Sequence, residues 1–339
     1  MQIVFVHLQT PLPRHLTLNL ERTAHLFPEH AVWLVTDQVS EHLKNFPYFI
    51  HELVKGASWA AIESALSHPK DFRGNFWFTS LARFLAFGEF SEEHEGEILH
   101  VESDVLLAKD FPFYAFSRSD YQFYFPVVSD LLGIASTLYL RCSKDAVSLA
   151  EYAFQVTKAC PSITDMHLLQ LFLKENPLKC GVLPSAPPRD EAFSKTTPRT
   201  FFNEISKQYS QFMGVFDGSD YGQYLFGHDA RNRRGWRYIR RNEPETYVQV
   251  PVTRYFFDEK REFASLELKS DGTVFPLYSL HVHSKITKVF DLRLSNIVMK
   301  KYIAKSHLGE SSIFSLPIFL KSLPSAARRR IRKLARFLT

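Results

Sequence analysis

Two short apolar runs, IVFVHL at residues 3–8 and VWLVTD at residues 32–37, flank the helix-length stretch LTLNLERTAHLF, and this alternation constrains the fold most. Apolar runs of this length suit strands covered on both faces. A strand, a helix and a second strand in such lengths predict a parallel sheet with helices packed against it. Open sheets of that kind bind ligands beyond the carboxyl ends of their strands. His7, Thr10, Thr36 and Asp37 stand at those ends and are expected near a nucleotide.

A third apolar run, ILHVESDVLLAKDF at residues 98–111, is interrupted by Glu102, Ser103 and Asp104. Glu102 and Asp104 are two residues apart, so at a strand end both side chains leave the same face. Carboxylates placed together repel unless a cation lies between them. Oxygen donors of this kind suit Mn²⁺ or Mg²⁺, which complete their shells with water and substrate phosphates.

Upstream, NFWFTSLARFLAFGEF at residues 75–90 has apolar residues at helical spacing all round, which predicts a buried helix. Arg83 in its middle either snorkels to the surface or meets an anion. Downstream, YQFYFPVVSD and GIASTLYLRC read as strands and DAVSLAEYAFQVTKAC as a helix. TDMHLLQLFLKEN is a second helix, with Thr164 as N-cap and Asp165 in its first turn. Residues 183–200 are rich in Pro, Ser, Thr and charges, a long loop of the type that forms lids or acceptor sites. The following segment, 215–235, sets glycines at 218, 222, 227 and 235 among Asp217, Gln223, His228 and Asp229. Such glycines suit tight turns near a ligand. The late run VFPLYSLHVHSK is a predicted strand on which His281 and His283 share a face, with Lys285 just beyond. These supply an imidazole ligand and a cation for phosphate oxygens.

With 339 residues, 45% of them hydrophobic and 31 phenylalanines, the chain can bury a large core. No run of about 18 apolar residues occurs, so no membrane-spanning helix is predicted. The opening MQIVFVHLQT reads as a strand and lacks the pattern of a signal peptide. Cys142, Cys160 and Cys180 are unpaired in spacing, which fits a reducing cytoplasm better than a disulfide framework or a zinc knuckle. The seven basic residues from Lys321 to Arg336 exceed the net charge of +5, so the remainder is net acidic and a nucleic-acid-binding body is not expected. In that tail Ala327, Ile331, Leu334 and Leu338 recur at helical spacing. A basic amphipathic helix over residues 325–338, lying on an anionic membrane surface, is the expectation.

The order of these parts resembles the GT-A class of nucleotide-sugar glycosyltransferases: RFLAF around Arg83, HVESDV around Asp104, TDMHLL around Asp165 and LHVHSK around His283. The resemblance runs over roughly residues 1–290. It implies one α/β domain, residues 1–295, with a mostly parallel, Rossmann-like sheet. Residues 185–235 would form an acceptor or lid region, and residues 296–339 a C-terminal extension. By the same resemblance, Asp104 and His283 hold Mn²⁺ or Mg²⁺ against the donor diphosphate, with Glu102 assisting. His283 is favoured over His281. Lys285 and the metal stabilise the departing nucleoside diphosphate, while Arg83, Ser103 and Asp165 lie at the donor. Asp165 and Asp217 are the catalytic candidates, and Asp217, Asp229 or His228 would serve as base in an inverting enzyme; a retaining enzyme would need none. The implied donor is a UDP-sugar, and the acceptor a glycan or lipid-linked glycan in bacterial surface polysaccharide synthesis at the inner face of the cell membrane. A nucleotidyltransferase and a non-catalytic membrane scaffold are the alternatives. The first predicted turn, HLQTPLPRH, lacks the glycine-rich phosphate loop expected of the former.

Overall fold

In the computed structural model, which describes residues 1–9, 11–38, 47–189, 199–227 and 253–307, the first three apolar runs and residues 49–52 form four neighbouring parallel strands. They are β1 (Gln2–His7), β2 (Ala31–Thr36), β3 (Phe49–Glu52) and β4 (Ile98–Val101). Between them lie α1 (Arg14–Leu26), α2 (Ala57–Ala65) and α3 (Phe76–Glu93). Next come β5 (Val105–Leu107), α4 (Phe113–Ser117), β6 (Phe123–Ser129), β7 (Leu132–Gly133) and β8 (Thr137–Leu140). Two helices, α5 (Ser143–Ala159) and α6 (Asp165–Glu175), lead to β9 (Cys180–Leu183).

The main sheet runs in the order β3-β2-β1-β4-β8-β6-β7, with β9 also paired to β6. β1 is parallel to both β2 and β4, with Ile3 opposite Val32 on one side and Leu99 on the other. β8 is antiparallel to β4 and to β6. The fold is therefore mixed α/β, with a mostly parallel centre flanked by helices, as the resemblance implied. Ile3, Val4, Phe5, Leu34, Ile98 and Leu99 are fully buried, which accounts for strands that read as continuous apolar runs.

Helix α3 is buried on nearly every side, through Phe78, Leu81, Ala82, Phe84, Phe87 and Phe90 among others. Burying one such phenylalanine stabilises the fold by roughly 1.5–3 kcal/mol. At Gly88 a Cβ would lie 2.9 Å from Ala150 Cβ, so only glycine lets α3 approach α5 this closely. The wholly apolar surround leaves Arg83 no route to water except the sheet's carboxyl edge.

The remaining elements are α7 (Arg199–Ser206), α8 (Tyr209–Phe212), α9 (Asp220–Phe226), β10 (Thr253–Asp258), β11 (Phe263–Leu268), β12 (Val274–Pro276), β13 (Ser279–His281), α10 (Thr287–Phe290) and α11 (Ser295–His307). The single late strand expected over residues 274–285 is instead two. β12 joins an antiparallel sheet with β10 and β11, whereas β13 pairs with β5. Pro276 lies at the break, where a residue without an N–H ends the ladder. Among the described residues no helix is long and apolar enough to cross a membrane. Thr10, His228, Asp229 and the expected tail helix at 325–338 lie outside the described residues.

Candidate active site

β4 ends at Val101, and the chain turns through Glu102, Ser103 and Asp104, closed by Val105 N–H donating to Glu102 O at 3.0 Å. Asn19 of α1 fixes the turn from behind, its amide donating to Ser103 O at 3.3 Å and Val105 O at 2.7 Å. β5 then runs antiparallel to β13, with Val105 opposite His281, and Val282 N–H donates to Asp104 O at 2.7 Å. This two-stranded ladder carries His281 to the carboxylates across the whole middle of the sequence.

His281 Nε2 lies 3.3 Å from Asp104 Oδ1 and 3.4 Å from Glu102 Oε2. Its Nδ1 is 3.0 Å from Gly218 O and donates to it, which orients the ring with Nε2 toward the carboxylates. His283, the favoured residue, stacks on His281 with ring centroids 3.8 Å apart, and its Nε2 faces the Gln223 amide at 3.2 Å, so that His281 is the histidine grouped with the two carboxylates. Alternate residues do share a face, but only the one in register with Val105 reaches the carboxylates. Lys285 Nζ is 3.3 Å from Asp104 Oδ2.

On the other side, Arg83 donates to Glu102 Oε1, to Asp165 Oδ2 at 2.8 Å and to Ser80 O at 2.9 Å. Its central position in a buried helix is thus explained by two anions. Asp165 opens α6 behind the N-cap Thr164, whose hydroxyl accepts His167 N–H. Burial would raise the Glu102 and Asp104 carboxyls. For Glu102, Arg83 and then His281 reverse the effect and lower it; for Asp104, Lys285 and His281 hold it well below the usual range. At Asp165 burial wins over Arg83 and the net direction is upward. His281 would be lowered by burial, but Asp104 and Glu102 push it up to about 9, so without another cation it is protonated at neutral pH.

These groups lie at one side of a cavity of about 440 Å³, also lined by His7, Arg73, Phe76, Ser219 and Gln223. His100 lines it too, its pKa lowered to about 3 chiefly by burial and then by Arg83, so the imidazole is neutral there. Ser103 is a further lining residue. Ser80 stands one turn before Arg83 and could have been recognised from helical spacing. Gln223 and Ser219 sit four apart in the glycine-bearing segment, but only the fold brings them to the cavity, Gln223 against His283.

Other expected residues fall elsewhere. Asp217 is fully buried, its carboxylate accepting the N–H groups of Tyr221, Gly222 and His281 at 2.7–3.0 Å. This candidate base thus joins the start of α9 to β13. At Gly222 a Cβ would meet His281 O at 2.0 Å, so this glycine serves close backbone packing behind the site. Thr36 and Asp37 do not line the cavity. Thr36 Oγ1 accepts Gln38 N–H, while Asp37 accepts Gln9 N–H at 2.8 Å and pairs with Lys55.

No protein-family model matches the chain, and no curated protein matches it. In three dimensions it is similar to the galactosyltransferase LgtC in complex with donor and acceptor sugar analogs, at TM-score 0.42 and 14% identity, over 61% of this chain and 84% of that one. It is also similar to the apo form of the glycosyltransferase GlyE of Streptococcus pneumoniae TIGR4, at TM-score 0.38 and 12% identity, over 54% and 44%. A third likeness is to mouse xyloside xylosyltransferase 1, at TM-score 0.36 and 8% identity, over 60% and 92%. These neighbours are glycosyltransferases, the class resembled by the sequence motifs; the overlap concerns the shape of part of the chain.

Proposed function

We propose that the protein is a metal-dependent glycosyltransferase that moves a sugar from a nucleoside-diphosphate sugar, specifically a UDP-sugar, to a glycan or lipid-linked acceptor. The observation that carries this reading is the Glu102, Asp104 and His281 group beside the cavity, bracketed by Arg83 and Lys285. Two carboxylates and one imidazole suit Mn²⁺, and the donor oxygens and nitrogen already stand 3.3–3.4 Å apart. The protonated His281 marks where positive charge is favoured. Asp104, Glu102 and His281 would hold the ion, with Mg²⁺ the other candidate. When bound, the metal would neutralise charge developing on the departing diphosphate.

Arg83 keeps Glu102 and Asp165 in place, so the cavity wall is set before substrate arrives. Lys285 can exchange Asp104 for a phosphate oxygen and offset the leaving-group charge. Asp165 lines the cavity near Arg83, where it can accept a sugar hydroxyl. Asp217 abstracts no proton, since its oxygens are taken by backbone donors and sealed from solvent. The tail over residues 325–338 is proposed to hold the enzyme on the cytoplasmic face of an anionic membrane, where a lipid-linked acceptor of bacterial surface polysaccharide is concentrated.

Calorimetric titration with UDP and several UDP-sugars, with and without Mn²⁺, tests the proposal. Nucleotide binding that requires Mn²⁺ and is lost in D104N supports it; absent or metal-independent binding overturns it. Deleting the chain from Lys321 onward should weaken association with anionic liposomes, and unchanged association removes the membrane arm.

A further inference from the structure

A second group of metal-competent side chains lies at the far edge of the main sheet. β3 is the terminal strand, and its His51 points its Nδ1 at the end of α3, where Glu93 and His94 stand. His94 Nε2 is 3.3 Å from His51 Nδ1, and Glu93 Oε2 is 3.7 Å from the same atom. All three donor atoms lie within 4.8 Å of one another. A tetrahedral Zn²⁺ with Zn–N bonds of about 2.0–2.1 Å holds its donors about 3.3–3.4 Å apart. The two nitrogens already have that separation, and Glu93 Oε2, on an exposed side chain, stands 3.7 Å from one of them.

The surroundings favour coordination. His51 is 6% exposed and its Nε2 meets no hydrogen-bonding partner, so Nδ1 is the atom through which this ring is satisfied. Phe90 packs edge-on against His51 with centroids 5.3 Å apart, and Trp33 lies 4.3 Å from the His94 ring. These walls fix both imidazoles while leaving the Glu93 side open to solvent, from which an ion and a water ligand can enter.

We infer that His51, Glu93 and His94 form a second metal site, for Zn²⁺ or a similar borderline transition ion, with a water as fourth ligand. Two nitrogens and one oxygen favour Zn²⁺, Ni²⁺ or Co²⁺ over Mg²⁺, in contrast to the oxygen-rich group at Asp104. Arg83 and Glu93 are ten residues apart on α3, about 15 Å along the helix, so the two sites are separate. A bound ion would clasp the edge strand β3 to the end of the helix that carries Arg83. Sheet edges otherwise expose unpaired backbone, and a clasp of this kind holds the edge closed.

The test uses the full chain carrying D104N, which takes one of the three donors from the central group and so weakens it as a competing ligand set. Isothermal titration should find one Zn²⁺ per chain, bound at least about 100-fold more weakly once H94Q is added. Failure of the D104N protein to bind Zn²⁺, or equal binding with H94Q present, overturns the inference. Co²⁺ loading of the D104N protein supplies a readout that needs no second substitution. Intense visible d–d bands of a tetrahedral nitrogen-containing site are expected, and a weak octahedral spectrum overturns it.

Discussion

Two clusters in this protein each combine imidazole and carboxylate, yet their settings differ in every physical respect. Glu102, Asp104 and His281 are drawn together at the carboxyl end of a central strand and flanked by Arg83 and Lys285. His51, Glu93 and His94 stand at the sheet's outer edge against Trp33 and Phe90, with no described arginine or lysine ion-paired to them. The difference teaches that residue types do not define a site. Neighbouring fixed cations would suit the central cluster, as proposed, to an anionic diphosphate, while an apolar wall would suit the edge cluster only to hold an ion.

The comparison breaks first at Asp104. D104A should reduce Mn²⁺-supported turnover by about three orders of magnitude, as expected when the better carboxylate ligand of a catalytic metal is lost. Retained turnover in a steady-state assay would make the two clusters equivalent bystanders. R83M should come next, lowering unfolding free energy by about 3–5 kcal/mol in urea melts, because Glu102 and Asp165 are left buried without their cation. No lysine or arginine substitution at the edge cluster's side chains is needed for a like test there, since no such pair exists among its described contacts.

A smaller effect separates the clusters by pH. In metal-free protein His281 has its pKa raised from 6.5 to about 9. The stability it contributes is therefore complete below pH about 6.5 and is lost as pH rises through about 9, on the order of 3 kcal/mol in all. Thermal melts in chelator between these limits should fall with pH in the native chain and lose that component in H281Q. Mn²⁺ should bind more tightly as pH rises, since it displaces the His281 proton. The smallest expected effect belongs to the edge cluster. Zn²⁺ at ten times its dissociation constant should add about 1.4 kcal/mol to the stability of D104N protein, and H94Q should remove the increment.

Much of the frame was legible in sequence because it depends on local pattern. The strands at residues 2–7, 31–36 and 98–101 announce themselves as apolar runs, and α6 by its Thr164 cap. Arg83 stood out because an arginine inside an all-round apolar helix requires an anion, and the structure supplies Glu102 and Asp165. What escaped was set by pairing across long sequence distances. The choice between His281 and His283 depended on the register of β13 against β5, because the two share a face and only a two-residue shift would exchange them. Asp217 looked reactive because its three backbone donors come from residues whose N–H direction no linear pattern reveals. The edge cluster was equally hidden, since His51 and His94 meet only through the packing of β3 beside α3.

The β5–β13 ladder has a consequence for biogenesis. Its two strands are separated by the folding of most of the chain, and contacts of such sequence separation form late. During synthesis the sheet from β1 to β4 can assemble while residue 281 is still unmade, with Glu102 and Asp104 in place but without their imidazole. On the proposed reading, metal affinity at the centre would therefore arrive as one of the last events of maturation, and a nascent chain halted before β13 would carry the scaffold without its imidazole.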